Sequence, residues 1–147
     1  MGEKGVLHAD DRVELIEGIV VAMSPKSVAH RYAVDALLAI LPGMLVSDWY
    51  ASGQNPLQLS GTEPEPDVAV LRGSYRDYRD RHPRPHDAGL VSEVAESSLD
   101  YDRRTKGFLY SKHEVPEYWI FNLVDECVEV YRSAPHKPQR CLPPVYY

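Results

Sequence analysis

Cysteine is almost missing from this chain: Cys127 and Cys141 are the only two among 147 residues, and neither sits in a metal-ligand spacing. No cysteine-based metal motif is therefore present, and a chain with so few cysteines and no secretion signal reads as reduced and cytoplasmic. Long apolar runs are missing as well. No segment approaches the roughly 18 to 20 uninterrupted apolar residues that span a bilayer, so a membrane is not an expected partner. Met1 to Asp11 lacks the apolar stretch of a signal peptide. There is no internal repeat and no low-complexity linker. Nor is there a surplus of positive charge. The formal net charge of −6 argues mildly against a nucleic-acid partner, because duplex binding depends on neutralising phosphates. Charges further apart than a Debye length, about 8 Å at physiological salt, are largely screened, so local clusters matter more than the sum. Carboxylates that surround a divalent ion also count as negative here while presenting a positive site in use. Charge thus leaves the partner open. What is present is 44% hydrophobic and 26% charged residues, enough for one ordinary core in a single domain.

The pattern along the chain predicts a mixed α/β fold. Val13 and Leu15 alternate with Arg12 and Glu14, and the run Ile19–Met23 follows the acidic-glycine turn Glu17-Gly18, which reads as a β-hairpin. Val28, Tyr32, Ala36, Leu37, Ile40 and Leu41 recur at helical spacing, closed by Pro42-Gly43. Short strand-like runs follow at Leu45–Tyr50, Gln54–Leu59 and Asp67–Leu71, the first two parted by Ser52-Gly53. Arg72 to Pro85 is polar, arginine-rich and dotted with tyrosine, so it reads as a loop or short irregular helix. Leu90–Ala95 is a further strand. Capping side chains between Ser97 and Asp102 precede a helix over Arg103–His113, ended by Pro116, and Tyr118–Leu123 and Cys127–Arg132 form a last strand pair. From residue 133 onward the pattern is irregular and proline-rich, as in a chain that stops inside a larger domain. The element order gives an α/β (α+β) architecture with a mixed central sheet flanked by helices.

Chemistry concentrates in two apolar strands. Asp67 follows Pro66 and opens Val68-Ala69-Val70-Leu71, while Glu93 sits within Leu90-Val91-Ser92-Glu93-Val94-Ala95. A carboxylate buried in a strand costs several kcal/mol unless it is paired or binds a metal. Two of them on neighbouring strands make an oxygen-rich site suited to Mg²⁺ or Mn²⁺. Lys106 on the next helix supplies a cation able to orient a water or stabilise developing charge. Each residue has a plainer reading: Asp67 as a strand-start residue after proline, Glu93 as an edge-strand side chain in solvent, Lys106 as part of a solvated helix face.

Pro66-Asp67, Glu93-Val94-Ala95, Ser97-Ser98, Tyr101-Asp102, Lys106, Tyr110 and Pro116-Glu117-Tyr118-Trp119, taken in order, resemble the Uma family of restriction endonucleases. Glu14-Leu15-Ile16-Glu17-Gly18, Ser24-Pro25 and His30 belong to the same resemblance, which spans roughly residues 12 to 132. It implies a restriction-endonuclease-like fold of the PD-(D/E)XK nucleases and a Mg²⁺-dependent endonuclease acting on nucleic acid, with DNA as the expected substrate. Asp67 and Glu93 would then hold the metal, with the Val94 carbonyl as an extra ligand, and Lys106 would position the attacking water. Alanine stands at position 95 where the usual pattern has lysine, so the resemblance assigns that role to Lys106.

Supporting candidates are Glu14 and Glu17 as further acidic groups, His30 as a phosphate or water contact, and Asp102 as the cap of the helix that carries Lys106. The stretch Arg72 to Arg84 holds five arginines interleaved with Tyr75 and Tyr78, a composition that suits phosphate contact and stacking, so this loop is expected to border the substrate cleft. A homodimer, common where two strands are cut, is the expected assembly. The competing reading is a non-catalytic nucleic-acid-binding or assembly module that keeps the fold.

Overall fold

A computed structural model describes residues 12–23, 25–132 and the backbone of 140–142. The hairpin forms as the sequence predicts: β1 (Val13–Ile16) pairs antiparallel with β2 (Ile19–Ala22). Its turn needs positive φ at both central residues, 51° at Glu17 and 78° at Gly18, which twists in the sense the strands require. Helix α1 (Val28–Ile40) starts at Ser27, whose side chain accepts from the His30 amide at 3.1 Å, and gives way to a 3₁₀ turn at Leu41–Gly43.

A six-stranded mixed sheet follows in the order β3-β4-β5-β6-β7-β8. Its strands are β3 (Trp49–Gly53), β4 (Val68–Arg72), β5 (Ala88–Ala95), β6 (Glu117–Asn122), β7 (Cys127–Arg132) and β8 (Arg140–Leu142). Only β5 and β6 are parallel, because the chain crosses between them through a helical connection: α2 (Leu99–Tyr101), a π-helical turn at Asp102–Lys106, and α3 (Gly107–Lys112). Side chains alternate across the sheet. Val68 and Val94 pack with Val34 of α1 on one face. Ala69, Leu71, Val91 and Ala95 pack with Leu109, Tyr110, Tyr118 and Ile120 on the other.

Four expectations need correction. A single strand, β3, replaces the two predicted at Leu45–Tyr50 and Gln54–Leu59. Ser52-Gly53, read as a turn, lies inside it; a Cβ at Gly53 would fall 2.6 Å from Leu38 Cδ1 of α1, so a larger residue there would make that side chain shift. The helix before β6 begins at Leu99, four residues before Arg103. The region after residue 132, expected to be irregular, contributes β8, paired through Val128↔Leu142, Glu129↔Cys141 and Val130↔Arg140. Cys127 is disulfide-bonded, so the expectation of a reduced thiol does not hold at this position. Among the described residues no helix is long and apolar enough to cross a membrane.

Candidate functional site

Antiparallel register brings the first two acids together. Val68 pairs with Ser92, so one step further Asp67 comes opposite Glu93. The Asp67 amide donates to Glu93 Oε2 at 3.3 Å, and the Val94 amide donates to Asp67 Oδ2 at 2.8 Å. His30, one turn into α1, places Nε2 at 3.1 Å from the same Asp67 oxygen. Glu93 shares the parity of Val91 and Ala95, so it points to the α3 face and not to solvent. There its Oε1 accepts from Lys106 Nζ at 3.0 Å and from the Tyr110 hydroxyl at 2.9 Å.

The π-helical turn explains how a lysine flanked by Arg103 and Arg104 becomes buried. Asp102, Lys106 and Tyr110 recur every fourth residue and turn inward, and Lys106 is only 2% exposed. The Gly107 amide reaches back to the Asp102 carbonyl, which also accepts from the Tyr118 hydroxyl at 3.0 Å. Arg103 faces the other way and pairs with Glu129 on β7.

Glu14 arrives from the far end of the chain. The Glu63 amide donates to the Leu15 carbonyl at 2.8 Å and the Glu65 amide to Glu14 Oε1 at 2.7 Å, so β1 docks along the proline-flanked segment that leads into β4. Lys106 Nζ then donates to Glu14 Oε1 at 2.6 Å. Alternation left the face of Glu14 open; it is buried, at 5% exposure.

Burial and charge compete at each group. Burial alone would raise the Asp67 pKa, but the bonds from His30 and the Val94 amide outweigh it and hold the carboxyl below its usual value. Burial pushes Glu93 well above the usual carboxylate range in spite of the Lys106 ammonium beside it. Burial would lower Lys106, yet Glu93 and Glu14 raise it, so it stays charged. Asp102 is pushed up to about 6, chiefly by burial, although the Ser98 hydroxyl donates to it at 2.6 Å.

These residues border one cavity of about 350 Å³, lined by Asp67, Glu93, Glu14, Lys106, Asp102 and His30 together with Lys26, Ser27, Glu96 and Tyr101. Glu14, Asp67, Glu93 and Asp102 are buried around the ammonium of Lys106, the single buried one among the described residues. An all-oxygen donor set with this excess of negative charge has the chemistry of a hard divalent cation site, centred on Asp67 and Glu93. Among the described residues no three His, Cys, Asp or Glu side chains are already gathered around one point as metal ligands. Lys106 takes that position between Glu14 and Glu93.

Other expected residues lie elsewhere or act differently. Glu17 is outside the cavity and pairs with Lys112 at 3.2 Å on the surface. Asp102 does not cap the helix; the chain is already helical from Leu99, and Asp102 enters the π turn as a buried acceptor. No residue of the arginine-rich loop lines the cavity. β4 runs away from Asp67, and five residues at about 3.3 Å each carry the loop roughly 17 Å off. Its charges serve the loop itself: Arg81 pairs with Asp87 at 2.8 Å and Arg72 lies over Trp49 at 4.8 Å. Lys26 was not singled out by sequence reasoning, and Tyr101 and Tyr110 entered it only as residues of the family resemblance, without a role.

A family described as "Putative restriction endonuclease", Uma2, matches residues 4–145. No curated protein matches the chain. Among solved structures, one described as a putative nuclease belonging to DUF820 from Anabaena variabilis ATCC 29413 has a similar fold. Its TM-score is 0.68 at 16% identity, over 92% of this chain and 76% of that one.

Proposed function

The chain belongs to the Uma2 family, and from that premise we propose that it is a metal-dependent nuclease hydrolysing phosphodiester bonds of nucleic acid, DNA in particular. One observation carries this reading: Asp67, Glu93 and Lys106, from a strand entry, a strand and a π-helical turn, converge in one buried hydrogen-bonded cluster on a cavity. Mg²⁺, or Mn²⁺ in its place, would be held by the Asp67 and Glu93 carboxylates with the Val94 carbonyl as a further ligand. When bound, such an ion polarises a phosphoryl oxygen and makes hydroxide available near neutral pH. Lys106, kept charged by its carboxylate partners, orients a water through Nζ and stabilises charge that develops on the phosphate. Tyr110 fixes the Glu93 carboxylate by donating to the same oxygen, Oε1, that Lys106 bonds. His30 holds Asp67 in its rotamer.

The second reading is a non-catalytic nucleic-acid-binding module. What favours it is Lys106 itself, which already pairs with both Glu14 and Glu93. Plasmid, linear duplex, single-stranded DNA, RNA and small phosphoesters, each incubated with the wild-type chain and Glu93→Gln over Mg²⁺ and Mn²⁺ titrations, separate the two. The nuclease reading expects cation-dependent cleavage of nucleic acid by the wild type alone. Salt-sensitive binding without any cleavage favours the module, and hydrolysis confined to small phosphoesters overturns both.

A further inference from the structure

Most polar groups on the cavity wall are already engaged. Ser27 donates to Glu96, Ser98 to Asp102, and Arg12 pairs with Glu65 at 3.3 Å. Two donors are not. Tyr101 lines the cavity, and its hydroxyl is buried without a hydrogen-bond partner among the described residues. Lys26, half-buried in the loop before α1, lines the same cavity, and no described side chain forms an ion pair with it. A third unsatisfied atom, His30 Nδ1, lies on the ring that holds Asp67.

An unpaired buried hydroxyl is destabilising unless something else takes the bond. Burial raises the Tyr101 pKa, Lys106 opposes it and the Glu14, Asp102 and Glu93 carboxylates add to it, so at neutral pH the phenol keeps its proton and can only gain by donating. Lys26 is in the converse position. Burial and the Arg12 guanidinium lower its pKa against the pull of Asp67, Glu65 and Asp35, and an incoming anion would favour its charged form. A ligand that satisfies the pair is therefore an anion with acceptor oxygens, small enough in cross-section to enter a cavity of about 350 Å³. It must also lie beside Asp67 and Glu93, whose charge repels it. A backbone phosphate drawn in by the Lys26 and Tyr101 donors meets these conditions.

We propose that Lys26 and Tyr101 form the phosphate subsite of this cavity, each donating to a non-bridging oxygen of the nucleic-acid backbone. The assignment rests on the nuclease reading and adds the residues that bring the substrate's charge to an acidic site.

The test uses the full chain, Lys26→Met, Lys26→Arg and Tyr101→Phe, and a short fluorescent DNA duplex. Affinity is read by anisotropy with Ca²⁺ in place of Mg²⁺, turnover by Mg²⁺-dependent cleavage, and folding by thermal melting. Lys26→Met and Tyr101→Phe should each raise Kd and KM about tenfold with kcat changed far less, and Lys26→Met should flatten the salt dependence of log Kd by about one unit. Lys26→Arg should restore that slope. Tyr101→Phe should melt no lower than the wild type, since it deletes an unpaired hydroxyl. Wild-type Kd, KM and salt slope in both variants, alongside an active wild type, overturn the subsite and leave the nuclease reading intact. A wild type that neither binds nor cleaves the duplex overturns the nuclease reading, and the subsite falls with it.

Discussion

Lys106 donates to Glu93 across 3.0 Å, and the same ammonium reaches Glu14 at 2.6 Å, so one side chain ties the N-terminal hairpin to the middle of the sheet. Both bonds are buried, and removing the cation would leave two carboxylates without their counter-charge. Lys106→Met should therefore cost about 3–5 kcal/mol in denaturant unfolding at pH 7. The deficit should shrink as the pH falls and the orphaned carboxylates take up protons. A loss that is the same at pH 7 and pH 4 would mean that packing, not charge, sets the effect.

Tyr110 is fully buried, and its hydroxyl donates to Glu93 at 2.9 Å. Tyr110→Phe keeps the ring contact with Tyr118 and removes only that donor. The expected loss is about 1–2 kcal/mol of stability. If the proposed function holds, cleavage should slow while KM for the duplex stays near the wild-type value, because the change reaches the substrate only through Glu93.

Asp102 gives a pH signature. Its carboxyl is pushed from the ordinary 3.8 to about 6, so the folded state holds this proton more tightly than the unfolded chain does. Stability contributed by the protonated group is present at low pH and is lost as pH rises from about 4 through 6. Asp102→Asn, neutral at every pH and still able to accept from Ser98, should remove that part of the stability–pH curve. It should also make the chain more stable above pH 6, by on the order of 2 kcal/mol. Unfolding curves at pH 4 and pH 7.5 for both proteins check the sign.

Glu17 and Lys112 supply a contrast. Each side chain is 49% exposed and the pair lies outside the cavity. Glu17→Ala should change stability by less than about 1 kcal/mol and leave duplex cleavage untouched. Reduced cleavage would bring Glu17 back into the site.

Much of the fold was legible because local pattern and tertiary need agree. The hairpin turn at Glu17-Gly18, helix α1 and the apolar strands of Asp67 and Glu93 follow from periodicity and turn chemistry. Val28, Tyr32 and Ile40 of the α1 pattern are nevertheless exposed, and Val34 is the helix residue buried in the core. What could not be read depends on neighbours distant in sequence. Gly53 looked like a turn because the Leu38 side chain that it sits against lies outside its local sequence. Lys106 looked like a solvated residue because only a π turn and Glu14, 92 residues away, make its burial affordable. The arginine-rich loop looked like a substrate surface because composition carries no direction, and it is the run of β4 that sends it away from Asp67. Lys26 bore no signal and Tyr101 only its place in the family resemblance, since an unsatisfied donor is a property of the folded wall.

The most direct test of the central claim is Mg²⁺-dependent cleavage of duplex DNA by the wild type and by Asp67→Asn, with melting curves of both. The Asp67–Glu93 account predicts cleavage that requires the cation in the wild type, its loss in Asp67→Asn, and a folded variant. Undiminished cleavage by Asp67→Asn would contradict it.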